Sequence, residues 1–188
     1  MTETKTQVDS VTPLPWKVIS GGQTGADQAG LIVARRFGIP TGGWMPRGWK
    51  TATGANPQLA EAFGLREHTG DYADRTAANV RDSDGTIRFA GSFRTFGERC
   101  TLKWINHYGR PYIDIDIRSH RPVIEVIDWM RENNVRVLNV AGNIEPKSRT
   151  AISHGITAFV IDYLSQVFCQ LGHRDVTAGN AELDANLL

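Results

Sequence analysis

Two carboxylates in this 188-residue chain stand where acid–base chemistry could be done. Asp27 falls in the first turn of an expected helix. There it either compensates the helix dipole or holds a ligand hydroxyl and acts as a base. Glu98, followed by Arg99, opens a second expected helix. It reads as a helix-start carboxylate or as a catalytic acid aimed into a crevice, with Arg99 beside it. Arg75 and Asn79 are one helical turn apart and share a face, a polar pair able to meet a ligand. Trp44 and Trp49 flank a loop, as packing pins or as rings that stack on a base. Asp82-Ser83-Asp84 reads first as a turn before a strand. The five histidines are scattered, and Cys100 and Cys169 lack Cys-x-x-Cys spacing, so no metal site is expected.

Positioning these groups is the work of alternating strands and helices. The apolar run Trp16–Ser20 breaks into Gly21-Gly22-Gln23-Thr24-Gly25, and a helical pattern over 26–37 follows. A strand, glycine turn and helix leave backbone N–H groups free at the helix N-terminus, which suits a phosphate or another oxyanion. The spacing is neither G-x-G-x-x-G nor the P-loop pattern, so neither nucleotide fingerprint applies. Further strands are expected at 39–43, 86–90, 111–116 and 135–140. Further helices are expected at 72–81, led by Asp71, at 98–108, stopped by Gly109, at 122–132, and at 148–171 as one long helix or two. Residues 45–57, rich in Gly, Pro and Thr, are expected to be loop. The alternation predicts one Rossmann-like α/β domain over 15–171, a mostly parallel sheet with helices on both faces. Residues 1–14 are expected as a flexible lead and 172–188 as a loosely held tail.

Ligands of such sheets bind beyond the carboxyl ends of the strands. Four of the five strand-end segments carry glycine: 21–27, 42–48, 91–99 and 139–143. Glycine loops converging on one edge, with Arg and Asp on the rim, predict an anion or nucleotide pocket. The net charge of +1 gives no global support for a nucleic-acid or membrane-surface partner. No apolar run approaches a membrane span, and the polar start of the chain lacks a signal-peptide core, so a cytoplasmic location is expected.

In order along the chain, Ile19–Asp27, Gly42–Gly48, Tyr72, Arg75-Thr76, Asn79-Val80, Asp82–Thr86 and Leu138–Gly142 resemble the family known as putative molybdenum carriers. That family lies in the SLOG group of Rossmann-like proteins, with the cytokinin-activating phosphoribohydrolases and the DNA-processing Smf-type proteins. The resemblance runs from residue 16 to about 170. It implies an often oligomeric protein, a homo-oligomer here, with its ligand over the first glycine loop. For the carriers that ligand is molybdenum cofactor, a pterin bearing a phosphate, or an oxyanion; for the wider group it is a nucleotide.

Carried over by position, Gly21, Gly22, Thr24 and Gly25 would contact phosphate, and Arg75, Asn79, Asp84 and Asn139 would line the pocket. Ser20, Gln23, Gly43, Trp44, Arg99 and Gly142 complete the expected ligand-binding set. Three segments depart from the family: Trp49–Gly54 lacks its two acids, Phe96–Thr101 keeps one glycine and adds Glu98-Arg99, and Gly142-Asn143-Ile144 replaces Gly-Pro-Arg. The first expectation is therefore a protein that binds a phosphorylated small molecule. The second is an N-glycosidic-bond hydrolase using Glu98, Asp27 or Asp84. The third is a DNA-interacting or antiviral-defence module using Arg47, Lys50, Arg94, Arg99 and Arg118, with the tryptophans as stacking platforms.

Overall fold

The computed structural model describes residues 13–145 and 155–177. Its main sheet contains β1 (Lys17–Ser20), β2 (Thr41–Met45), β5 (Leu65–Glu67), β6 (Gly85–Ala90), β7 (Tyr112–Asp116) and β8 (Val137–Gly142). The strand order is β5-β2-β1-β8-β6-β7, and every pairing is parallel. The helices are α1 (Ala26–Arg36), α2 (Gln58–Phe63), α3 (Tyr72–Arg81), α4 (Phe96–Tyr108), α5 (Val123–Glu132) and α6 (Ile156–Gln170). The expected single Rossmann-like domain is what forms.

The two faces of the sheet differ in chemistry. Val18, Leu138 and Ile87 stand on one face and, with Val140 and Ile113, bury against α1, α5 and α6 in the main core. Parallel strands covered on both sides need such apolar side chains. The opposite face carries Ile19, Asn139, Thr86, Arg88 and Asp114 in register. It is covered by α3 and α4, which pack on each other. A smaller core of Leu31, Ile32, Met45, Leu59, Phe63 and Leu65 seats α2 against α1, β2 and β5.

Several boundaries differ from expectation. The loop expected at 45–57 contains a two-stranded antiparallel hairpin, β3 (Lys50–Thr51) with β4 (Gly54–Ala55). It closes because Thr51 Oγ1 donates to the Gly54 carbonyl at 2.7 Å and Gly54 takes a positive φ of 120°. Helix α2 and strand β5 lie where no element was expected, because both are short and only half apolar. Strand β8 starts two residues later than expected, since the Val135 N–H still bonds the Met130 carbonyl at the end of α5. Helix α6 begins at Ile156, and residues 146–154, which cover the start of the expected 148–171 helix, lie outside the described residues. Residues 172–177 make three contacts back to the domain. His173 Nε2 donates to the Leu14 carbonyl at 3.0 Å, the Val176 N–H bonds the Arg36 carbonyl at 2.8 Å, and Arg36 pairs with Asp175 at 3.1 Å. Residues 1–12 and 178–188, most of the expected lead and tail, lie outside the described residues.

Candidate functional site

The chain leaves β1 through Gly21 and enters α1 at Ala26, and it leaves β8 through Gly142. These exits lie side by side because β1 pairs with β8. The strand order reverses its direction of travel here, with β2 and β5 to one side and β6 and β7 to the other. Open α/β sheets bind ligands at such a switch point. A cavity of about 260 Å³ opens there, between α3 and α4. Gly21, Asn139 and Gly142 form its floor, Arg75, Thr76 and Asn79 its α3 wall, and Gly97, Cys100 and Thr101 its α4 wall.

Arg75 dominates the cavity. From α3 its guanidinium passes over Gly21 and reaches Asp27, the second residue of α1, with Nη1 to Oδ2 at 3.2 Å. A Cβ on residue 21 would overlap the Arg75 guanidinium, so glycine is what admits it. Arg75 Nε is buried and has no hydrogen-bond partner. Asp27 is 4% exposed and also accepts from the Gln23 N–H at 3.3 Å. Burial pushes its carboxyl above the usual range, against the pull of Arg75 and the Gln23 N–H. Asn79 lines the cavity while its amide clamps β2, accepting from Trp44 N at 2.9 Å and donating to Trp44 O at 3.0 Å. Asn139 lines the floor and donates to Thr86 Oγ1 at 3.2 Å.

Glu98 does not line the cavity. It is the third residue of α4, 2% exposed, and Thr95 caps the helix by accepting from its N–H. Its Oε1 accepts from Asn143 Nδ2 at 3.0 Å, and its Oε2 has no hydrogen-bond partner. The nearest cation is Arg88, at 3.8 Å. That guanidinium is committed to Asp114, at 2.8 and 2.6 Å, and to the Glu98 carbonyl at 3.1 Å. Burial pushes the Glu98 carboxyl up to about 7; Arg88 opposes the shift and the Asp27 charge adds to it. Asn143 joins three strand-end loops. Its Oδ1 accepts from Gly91 N at 3.1 Å and Ser92 N at 3.3 Å, and its carbonyl accepts from Ala26 N at 3.2 Å.

The expected site residues thus divide. Gly21, Gln23, Asp27, Arg75, Asn79, Asn139 and Gly142 converge on one cavity. Thr24 and Gly25 face a second cavity of about 660 Å³, with Gln28, Ala52 and Thr53. Gly22 packs on Met45 and Leu65, and Gly43 presses against the Ser20 backbone. Ser20 Oγ is spent on the Val140 carbonyl at 2.6 Å. Trp44 is a packing pin: its Nε1 donates to Asp82 at 2.8 Å, and Arg66 stacks on its ring at 4.0 Å. Trp49 packs on the smaller core. Asp84 lies at the opposite, amino edge of the sheet, where its Oδ2 accepts from Arg136 N at 3.0 Å and Val137 N at 2.7 Å. It ties the starts of β6 and β8 together. Arg99 is exposed and bonds the Arg94 carbonyl at 2.9 Å. Arg47, Lys50, Arg94 and Arg118 are exposed as well, and none lines the cavity.

Arg88 escaped the sequence reading. Its signal was there: a guanidinium in the middle of Thr86-Ile87-Arg88-Phe89-Ala90, a strand buried on both faces, needs anionic partners. Tyr72, which the resemblance included without a role, and Phe96, Cys100 and Thr101 also line the cavity.

A parallel sheet with a glycine-floored crevice at its switch point, walled by a buried Arg–Asp pair, defines a Rossmann-like α/β protein. The family profile of circularly permutated YpsA SLOG proteins matches residues 18–168, and the chain belongs to that family. The crystal structure of a putative molybdenum carrier protein from Syntrophus aciditrophicus is similar, with 34% identity and a TM-score of 0.70, over 83% of this chain and 96% of that one. No curated protein matches. Among the described residues, no helix is long and apolar enough to cross a membrane.

Proposed function

We propose that the protein binds a phosphorylated small molecule, nucleotide-derived or of the molybdopterin type, in the cavity between α3 and α4. One observation carries this reading: a guanidinium, Arg75, is fixed in the cavity wall by Asp27, with part of its side chain still accessible. An anionic oxygen arriving in the cavity would meet the accessible part of this side chain, which is 13% exposed. The N-terminus of α4, with Gly97 open to the cavity, adds a favourable dipole for an anion. Asn79, Asn139 and Thr76 supply neutral polar groups. This donor set fits the phosphate end of a pterin cofactor as well as that of a nucleotide. The volume, about 260 Å³, lies just below that of most small-molecule sites, which run from ~300 to 1,000 Å³, and suits a single nucleotide better than a dinucleotide. Isothermal titration and native mass spectrometry against mononucleotides, sugar phosphates and molybdopterin test the reading. Arg75→Met should abolish binding, and a wild-type protein that binds none of the panel would overturn it.

The second reading is hydrolysis of an N-glycosidic bond. Asp27 favours it, since it lines the cavity and burial raises its carboxyl in the direction a general acid needs, whereas Glu98 does not line the cavity and takes no direct part. Asp84 has no part in it, being at the far edge of the sheet. Release of free base from nucleotides would support it. Activity unchanged in Asp27→Asn would sink the mechanism.

A further inference from the structure

Soluble proteins keep large apolar side chains out of water unless something covers them, and clustering of the exceptions marks a contact surface. Seven such side chains are exposed among the described residues, and three of them, Tyr72, Phe96 and Ile144, line the one 260 Å³ cavity. Their exposures are 39%, 76% and 48%. Tyr72 is the first residue of α3 and Phe96 the first of α4, the two helices that wall the cavity and pack on each other. The Tyr72 ring also sits 5.9 Å from the Arg75 guanidinium carbon. One aromatic edge of the cavity is therefore about one ring's breadth from the cation on which we place the phosphate.

We propose that Tyr72 and Phe96 are specificity-determining residues that hold a flat ring carried by the anionic ligand, and so select a ring-bearing phosphate over a bare oxyanion or a sugar phosphate. The inference rests on the binding reading above. The chemistry is that of an amphipathic ligand: charged oxygens reach Arg75 and the α4 N-terminus, and a planar ring covers the apolar rings that water now touches. Aromatic rings serve this purpose because they give a large, rigid contact area at little entropic cost. A sugar phosphate would satisfy Arg75 and leave Phe96 exposed. Molybdate alone would do the same.

The test is titration calorimetry on the full chain with five probes: inorganic phosphate, molybdate, ribose 5-phosphate, and AMP with GMP as the ring-bearing pair. At least one nucleotide should bind about tenfold or more tighter than ribose 5-phosphate, in line with the worth of one aromatic contact. Phe96→Ala and Tyr72→Ala should each narrow that ratio roughly three- to tenfold while leaving ribose 5-phosphate unchanged. Phe96→Trp should keep it. Phe96 is three-quarters exposed, so its replacement leaves the fold intact, and a circular dichroism melt of each variant checks this. Equal affinity for ribose 5-phosphate and both nucleotides would overturn the proposal and leave the phosphate-binding reading standing. So would a ratio untouched by both alanine variants. Failure of every phosphate to bind would overturn the binding reading, and this proposal with it.

Discussion

Arg75 reaches Asp27 because residue 21 has no side chain, and the pair it makes is both a structural and a binding feature. The two roles separate in a double variant. Arg75→Met leaves the buried Asp27 carboxylate unpaired and should cost roughly 3–5 kcal/mol at neutral pH by urea unfolding. Adding Asp27→Asn removes the stranded charge and should recover most of that stability while ligand binding stays lost. Glu98 supplies a pH signature. Its carboxyl titrates near 4.5 in the unfolded chain and near 7 in the folded protein. Below 4.5 it is neutral in both states and costs nothing. Between 4.5 and 7 the unfolded chain releases the proton and the folded protein keeps it, so stability falls as pH rises. The loss is complete above 7 and is of order 3 kcal/mol, at about 1.4 kcal/mol per pKa unit. Denaturant unfolding at pH 5 and pH 8 should show this fall in the wild type and a flatter profile in Glu98→Gln. A wild type equally stable at both values would refute the argument.

At the scale of elements, the strand-end rule found the crevice because a parallel sheet brings every carboxyl end to one edge, wherever those ends lie in the chain. The rule did not select Asp84, and the structure gives the physical reason. Asp82-Ser83-Asp84 precedes β6 rather than following it, so in a parallel sheet it belongs to the amino edge, and the resemblance alone had placed it in the pocket. Asp84→Asn weakens two charge-assisted bonds, to Arg136 N and Val137 N. It should cost about 1–3 kcal/mol of stability and leave ligand affinity unchanged, the reverse of what a pocket acid would show. For Trp44 the sequence leaves two readings open, a packing pin or a stacking ring. The expected strand stops at residue 43, one short of Trp44, and the choice between the two readings depends on Asp82 and Arg66, far away in sequence. Helix α1 was legible from its apolar spacing, α3 from Asp71 at its start and α4 from the stop at Gly109. Helix α2 and strand β5, six and three residues long, are held by the smaller core rather than by local pattern.

The whole molecule divides its labour between the faces of one sheet. The apolar face, with α1, α5 and α6, holds the fold, and the polar face under α3 and α4 carries the cavity. Phe168, fully buried in α6 and edge-on to Phe37 at 5.9 Å, belongs to the first task. Phe168→Ala should lower stability by about 3–5 kcal/mol in a single cooperative transition and spare binding in the fraction that stays folded. The glycine loop joins the two cavities, and Gln23 is its pivot. Its side-chain oxygen accepts from Ala52 N at 2.7 Å in the β3–β4 hairpin and from Thr24 N at 2.9 Å, while the residue itself lines the cavity beside Arg75. The hairpin therefore hangs from a residue that a bound ligand would touch. Amide exchange at Ala52 becomes a gauge of occupancy, slowing when the cavity fills, at a position that no ligand atom in that cavity needs to reach.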